Sequence, residues 1–236
     1  MKRFFDTVGT REVDGDQTGW QVTLDGRGLK TVRGSPQIVT TEALAKMLAS
    51  EWDIQGEELN PKLFPLRDMA DYAIDMVAPE RPAIAEKLVA YGDTDTLLYR
   101  ADPDEPLYER QQEVWEPIVK AFEQSEGIEM VRISGIVHRP QKARTLAALK
   151  ASLGSKTVFE LAALEVMTSL AASLVIALSA AEKHDDKEAA DLWRSASLEE
   201  EWQADLWGRD TEAEERRLKR QNDFLSAWKF MRAAKG

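Results

Sequence analysis

Short apolar or β-branched runs alternate with turn signals over the first forty residues. The runs fall at residues 4–8, 20–24, 29–32 and 37–39 and are rich in Val, Thr and aromatic side chains, which suits half-buried strands. Asp14-Gly15-Asp16, Thr18-Gly19, Asp25-Gly26 and Gly34-Ser35-Pro36 separate them. Asp25-Gly26 predicts a tight hairpin, because Gly tolerates the positive φ that such a turn requires.

Beyond Thr40 the period becomes helical. Thr40 or Thr41 can cap a helix with Glu42 in its first turn and Leu44, Met47, Leu48 and Trp52 on one face. Leu66, Met69, Ala70, Ala73 and Val77 define a second helix, expected to stop at Pro79, and a third covers residues 82–91 with Ile84 and Leu88 inward. Residues 92–101 read as irregular or briefly extended. A helix starting near Pro106 carries Leu107, Gln111, Val114, Trp115, Ile118 and Phe122 on its stripe, and Pro117 is expected to kink it. Residues 128–137 read as a short strand or connector.

Helices are then expected at about residues 141–153, 157–183 and 186–194. Ser197 with Glu200 has the spacing of a capping box, as does Thr211 with Glu214. The first of these starts a helix with Leu198, Trp202 and Leu206 as its buried stripe and Glu199 and Gln203 on the flank. The second starts the last helix, with Leu218, Leu225, Trp228 and Met231 inward. The pattern predicts an α+β chain: a small N-terminal β-containing domain, residues 1–85, followed by a larger all-helical C-terminal domain, residues 86–236. The boundary falls somewhere between residues 60 and 105.

From residue 161 to 181 the only charge is Glu165, and residues 166–181 carry none. Sixteen residues are too few for the roughly 20 that a membrane-crossing helix needs. The segment is therefore expected to be the central, mostly buried helix of the fold.

Composition then removes whole classes of function. The 236-residue chain has 31 basic and 42 acidic side chains, a formal net charge of -11. Such a surface repels phosphate backbones and anionic lipid, so neither nucleic acid nor membrane insertion is expected. No cysteine is present, which excludes disulfides, thiolate nucleophiles and thiolate metal sites. Met1-Lys2-Arg3-Phe4-Phe5-Asp6 is not followed by the apolar stretch of a signal peptide. A bacterial cytoplasm fits best, with a processed organellar chain as the alternative.

Candidate chemistry is sparse. His138 precedes Pro140 in an expected loop, and His184 sits at the end of a helix, where the dipole favours a cation. Neither has the companions of a catalytic triad. Gly26-Arg27-Gly28 lacks the remainder of a dinucleotide site, and no phosphate loop occurs. Asp93-Thr94-Asp95 has the form of a metal-binding pair, yet turn or cap roles explain it as well. Glu199-Glu200-Glu201 with Asp205 could attract a cation, but consecutive helical residues diverge by about 100° and cannot share one ion. Acid at a helix N-terminus is the simpler account. Trp193, Trp202 and Trp207 bracket these glutamates; an acidic edge beside large aromatics is the make-up of a protein contact, although core packing also uses tryptophans.

Taken in order, several short stretches resemble one family: the chaperones, of the Atp-twelve type, that bind the alpha subunit of the ATP synthase catalytic head before it joins beta. They are Arg3-Phe4-Phe5, Val22-Thr23-Leu24-Asp25-Gly26-Arg27 with Leu29-Lys30-Thr31, and Glu51-Trp52-Asp53-Ile54-Gln55-Gly56-Glu57. Pro65-Leu66, Thr94-Asp95 with Leu97, Tyr99 and Arg100, and Arg110-Gln111 with Trp115 and Pro117 follow. The series ends with Leu198-Glu199-Glu200-Glu201-Trp202-Gln203 and Trp207-Gly208. Gly28 and Thr96 depart from the family pattern.

The resemblance implies a two-domain protein without catalysis or cofactor. Its client would be the unassembled alpha subunit, shielded on its beta-facing surface, and no small-molecule substrate or metal is implied. An acidic residue of the Leu-Glu-Glu-Glu stretch matters in the family. Glu199 is the best match, and Glu200, Glu201, Gln203 and Trp207 complete the expected client-binding set. Trp52, Asp53, Asp95, Tyr99, Arg100, Trp115 and Trp202 are expected to be structural. Two other readings stay open: a scaffold for another protein partner, and a carboxylate or metal-dependent enzyme using Asp95 or the Glu199 cluster.

Overall fold

The computed structural model describes residues 1–15, 18–135 and 137–235. Asp16 of the first turn signal and Ile136 of the expected strand at 128–137 lie outside the described residues. Two compact units are present. One comprises Met1–Arg81, Thr157–Ala163 and Lys229–Gly236, the other Pro82–Lys156 and Leu164–Trp228.

The sheet of the first unit is organised around β2 (Gly19–Leu24). β1 (Val8–Val13) pairs with it antiparallel, Val8 opposite Leu24 and Val13 opposite Gly19. On the other edge β3 (Arg27–Gly28) pairs with the end of β2 and β4 (Ile38–Val39) with its start. The expected hairpin is there. Asp25 and Gly26 have φ of 48° and 76°, the doubly left-handed geometry of a tight two-residue turn. Asp25 tolerates it because its carboxylate accepts from the backbone N–H groups of Asp6 (3.0 Å) and Thr7 (2.8 Å). Those donors, Thr7 foremost, hold its pKa below the usual carboxylate value.

Strand positions at the chain start differ from expectation. The strand runs over residues 8–13, not 4–8: Arg11 and Glu12 hide it in the sequence, but β2 offers a full-length partner. Residues 1–3 pair instead with the loop after the first helix, through Leu59 N–H to Met1 O and Arg3 N–H to Glu57 O, both 2.8 Å. Residues 29–32 also leave the sheet after a single bridge from Lys30 to Pro36.

Helix α1 (Glu42–Asp53) is capped by Thr41, whose hydroxyl accepts from Leu44 N–H, and it buries Leu44, Leu48 and Trp52. The Trp52 ring stands between Phe5 (5.6 Å, edge-on) and Phe64 (4.5 Å), while Asp53 is exposed. The neighbouring Glu51 carboxylate caps α2 (Pro65–Tyr72), accepting from Leu66 N–H and Arg67 N–H at 2.8 Å each. One turn of α1 thus supplies both a core ring and the cap of the next helix.

Pro79 does not end the helix that begins at Pro65. The backbone widens into a π turn at Ala73–Val77, and α3 (Ala78–Asp93) continues past Pro79 and Pro82. Glu80 departs from helical geometry (φ -116°, ψ 21°), so the prolines occupy a stretch where regular helical bonding is already interrupted. Asp71, just before the widened turn, and Asp75, within it, pin the loop before β4: Asp71 accepts from Val32 N–H and Gln37 Nε2, and Asp75 from Thr31 Oγ1 and Arg33 N–H.

In the second unit β5 (Tyr99–Arg100) pairs in parallel with β6 (Ile133–Ser134). α4 (Pro106–Glu126) opens with Pro106 in its first turn, runs on through Pro117 and closes at Gly127, which has φ of 65°. α5 (Ala143–Gly154) follows, then α6 (Val158–Ala171) and α7 (Leu174–Ala181).

A single helix over residues 157–183 was expected; two are found. The break is Ala172, with φ of 48°, and Ser173, whose hydroxyl caps α7 through Ile176 N–H. Asp95 decides it. Its carboxylate, fully buried, accepts from Ser173 Oγ (3.0 Å), Val175 N–H (2.8 Å) and Leu97 N–H (3.0 Å). Thr96 then bonds Ala172 O through both its N–H and its hydroxyl.

α7 is apolar nearly all round, buries Leu174 to Leu178, and packs against α4 and α8 (Asp186–Ala196). It is the central helix of its unit, and among the described residues no helix is long and apolar enough to cross a membrane. α9 (Leu198–Trp207) and α10 (Thr211–Lys235) complete the chain.

Neither predicted capping box forms. The Ser197 hydroxyl turns back to Trp193 O, since α8 runs almost directly into α9. Asp210, not Thr211, caps α10, accepting from Glu212 N–H.

Ala172 is a non-glycine residue in the left-handed region, a placement that costs about 1 kcal/mol. Ala172→Gly is therefore expected to stabilise the protein by about that amount, read as a higher urea midpoint with an unchanged slope.

Candidate functional site

The side chains that matter converge where β5, α4, α8 and α9 meet in the second unit. Arg100, on a two-residue strand, is buried. Its guanidinium lies over the Trp115 ring, 5.3 Å from the centroid, with Nη1 2.8 Å from Gln111 O and Nη2 3.3 Å from Glu116 Oε2. Burial brings its pKa down to about 10, against the opposing pull of Glu116. Glu116 also holds Arg132 (3.0 Å), which reaches Glu123 in turn, so one chain of alternating charge ties α4 to β5 and β6. The Trp115 indole N–H donates to Ser195 O at 2.6 Å, linking α4 to the end of α8.

Above this base sits Glu199, in the first turn of α9. It is half-buried, and its Oε1 accepts from Gln111 Nε2 at 2.7 Å. Burial raises its pKa, with the Gln111 hydrogen bond acting in opposition. Among the described residues its second oxygen, Oε2, has no hydrogen-bond or ion-pair partner. The next two glutamates differ. Glu200 pairs with Arg220 at 2.9 Å. Glu201 pairs with Arg217 at 2.7 Å and Arg209 at 3.0 Å, and Arg209 also holds Asp205 and Glu214. Only Glu199 of the three keeps an unneutralised carboxylate.

The apolar stripe expected for α9 is buried only at its start. Leu198 is buried, Trp202 is half-buried, and Leu206 and Trp207 are 65% and 87% exposed. Too few elements pack over this short helix to cover it. Leu218 of α10, expected inward, is likewise exposed. Val114, Leu198 and Trp202 line a cleft of about 360 Å³ whose rim carries Arg110, Arg194, Glu201 and Asp205. Gln203 is exposed. Glu199, Gln203 and Trp207 recur every fourth residue along one edge of α9, a span of about 12 Å.

The remaining expected residues fall elsewhere. Asp95 is taken up by the cap of α7, and Tyr99 bonds His138 Nδ1 through its hydroxyl at 2.9 Å. Asp93 accepts from Gln141 N–H at 2.7 Å. The Asp93 and Asp95 carboxylates are thus each committed to different segments, and among the described residues no group of three or more His, Cys, Asp or Glu is placed to hold a metal. Gln111 was read from the sequence as part of a helical stripe and of the Arg110-Gln111 stretch of the resemblance, with no site role. Its signal was a polar side chain at an apolar position.

Comparison with known proteins gives the family and the fold. The model of the ATP12 chaperone protein family matches residues 2–123. The chain belongs to the ATP12 chaperone family. It is 27% identical to the mitochondrial protein atp12 of Schizosaccharomyces pombe over 227 residues, 91% of this chain and 76% of that protein. The crystal structure of Atp12 from Paracoccus denitrificans superposes with a TM-score of 0.90 at 35% identity, covering 99% of this chain and 98% of that one. A mutant of the Paracoccus protein gives the same TM-score and identity, covering 99% and 97%. A protein from Agrobacterium tumefaciens reaches a TM-score of 0.91 at 35% identity, over 98% of this chain and 85% of that one. The α+β layout, with a small N-terminal strand region and a mostly helical remainder, is shared. As an ATP12-family member this is a chaperone of ATP synthase assembly, with an ATP synthase subunit as its partner.

The buried Asp95 gives a pH-dependent expectation. Burial raises its pKa from 3.8 to about 6, outweighing the hydrogen bonds from Val175 N–H and Ser173 Oγ that favour the charged form. A raised carboxyl pKa means the folded state holds the proton more tightly than the unfolded chain. This contribution therefore falls as pH rises through the window from 3.8 to about 6, then stays constant. In Asp95→Asn it is absent. The stability of the variant relative to wild type should improve by about 2–3 kcal/mol between pH 4 and pH 7, measured as the difference between their urea-unfolding free energies.

Proposed function

We propose that the client is the unassembled alpha subunit of the ATP synthase catalytic head, bound along the edge of α9 so that its beta-facing surface is shielded. One observation carries the site: Glu199 holds a half-buried charge with a free oxygen on a helix that ends in the exposed pair Leu206 and Trp207. Exposed apolar surface of this kind marks a partner-binding face, and a desolvated carboxylate beside it supplies orientation more than raw affinity. Glu199 pairs with a basic or amide group on the client, Trp207 enters an apolar recess, and Gln203 lies between them. Glu200 and Glu201 serve the same edge indirectly, because their ion pairs with Arg220, Arg217 and Arg209 fasten α9 to α10.

In this reading the protein is not an enzyme, needs no cofactor, and acts in the bacterial cytoplasm. It covers apolar surface on alpha with an affinity low enough for beta to displace it. The division into an N-terminal domain of residues 1–85 and a C-terminal domain of residues 86–236 belongs to the same proposal. The testing experiment is a pull-down from native lysate with this protein as bait. Retention of alpha without beta supports the reading, whereas enrichment of an unrelated protein in its place sinks it.

Two variants sharpen this. Glu199→Lys is expected to keep its unfolding free energy within about 1 kcal/mol of wild type while losing most retention of alpha. Unfolding of that variant would make Glu199 a structural residue. Trp207→Ala removes a ring that packs on almost nothing, so stability should stay within about 0.5 kcal/mol. Its binding free energy for alpha should weaken by about 2 kcal/mol, as for an aromatic anchor.

A further inference from the structure

Gln111 sits on the inward stripe of α4 with no solvent exposure, yet both ends of its side-chain amide are engaged. Oε1 accepts from Ala101 N–H at 2.8 Å, and Nε2 donates to Glu199 Oε1 at 2.7 Å. Its backbone carbonyl accepts from Arg100 Nη1 at 2.8 Å. We infer that Gln111 is the positioning residue of the client-binding edge: it fixes the Glu199 carboxylate through one oriented hydrogen bond and leaves Oε2 for the client. The inference rests on the reading of Glu199 given above.

The orientation follows from chemistry. A backbone N–H can only donate, so the amide atom facing Ala101 must be the oxygen. The NH2 end must then face Glu199, where it can only donate. Gln111 therefore reads Glu199 as an acceptor and favours its ionised form. The base is rigid, because the guanidinium that holds the Gln111 carbonyl is itself buried over Trp115.

Among the described residues nothing else nearby does the same work. Arg100 is directed at Gln111 O and Glu116. On α9, Glu200 and Glu201 are taken by Arg220, Arg217 and Arg209, and on α8 Arg194 is paired with Asp191. Burial and Gln111 are the two influences on the Glu199 carboxyl. Replacing the amide by a carboxylate would set two negative groups at hydrogen-bond distance, which then share one proton at lower pH.

The test compares Gln111→Glu and Gln111→Leu with wild type. Glu199 is titrated by the NMR shift of its carboxyl carbon, and affinity for isolated alpha subunit is measured at about pH 8 and about pH 5.5. Gln111→Glu should bind alpha about tenfold more weakly at the higher pH and recover to within about twofold at the lower, where a shared proton restores the donor. Gln111→Leu should bind weakly at both and raise the Glu199 titration above wild type. A lower melting temperature in both variants, with wild-type affinity, pH profile and Glu199 titration, overturns the proposal and makes Gln111 a packing residue. If wild type itself does not hold alpha, the alpha-subunit reading fails separately. The Glu199 titration in Gln111→Leu then decides: a raised value supports the lock, and an unchanged one removes it.

Discussion

A guanidinium buried on a two-residue strand needs support from several directions, and the proposed client-binding edge depends on how Arg100 finds it through its two Nη atoms and its ring contact, Nε having no hydrogen-bond partner among the described residues. It takes a ring face from Trp115, a carbonyl from Gln111 and a carboxylate from Glu116. Those three residues lie within two turns of α4, so the strand and the helix are fixed together at one place. Leaving so buried a charge partly unpaired costs several kcal/mol, which disfavours any alternative register of α4 against β5. Gln111 and Trp115 then have defined positions, and each carries the order outward, one to Glu199 and the other to Ser195.

α9 shows what that support permits. Three successive glutamates have the same side chain and different circumstances: one bonds to a neutral amide, two bond to arginines. Exposed ion pairs contribute little to stability individually, but the Arg209 and Arg217 cluster links α9 to α10 through Glu201, Asp205 and Glu214. A helix fastened on one side and propped by Gln111 on another can leave Leu206 and Trp207 in water without a packed core behind them. An assembly chaperone has use for such an edge, since its client must also let go.

A second buried charge, Asp95, organises the central helices by the same means. Its carboxylate ends one helix and starts the next, so the apolar segment from 158 to 181 turns once at Ala172. The first unit repeats the device with Glu51 at the start of α2 and with Asp71, which accepts from Val32 N–H in the loop before β4. Carboxylates buried against backbone N–H groups recur at the joints of this fold.

Much of this was legible in the sequence. Alternation and turn chemistry determined β2 and the Asp25-Gly26 hairpin, helical periodicity determined α1, α4 and the inward face at the end of α10, and the run of short matches determined the family. These features depend on neighbours within a few residues, and local φ preferences and side-chain periodicity report on such neighbours. Tertiary structure alone decided the rest. Residues 8–13 became a strand because β2 paired with them, the helix broke at Ala172 because Asp95 reached it from 77 residues away, and Trp207 stayed exposed because, among the described residues, no element packs over it. Which glutamate keeps a free charge was decided by Gln111, Arg217 and Arg220, none of them near it in the chain. A hydrogen bond or ion pair between distant residues leaves no periodic trace, so only the folded arrangement could settle those points.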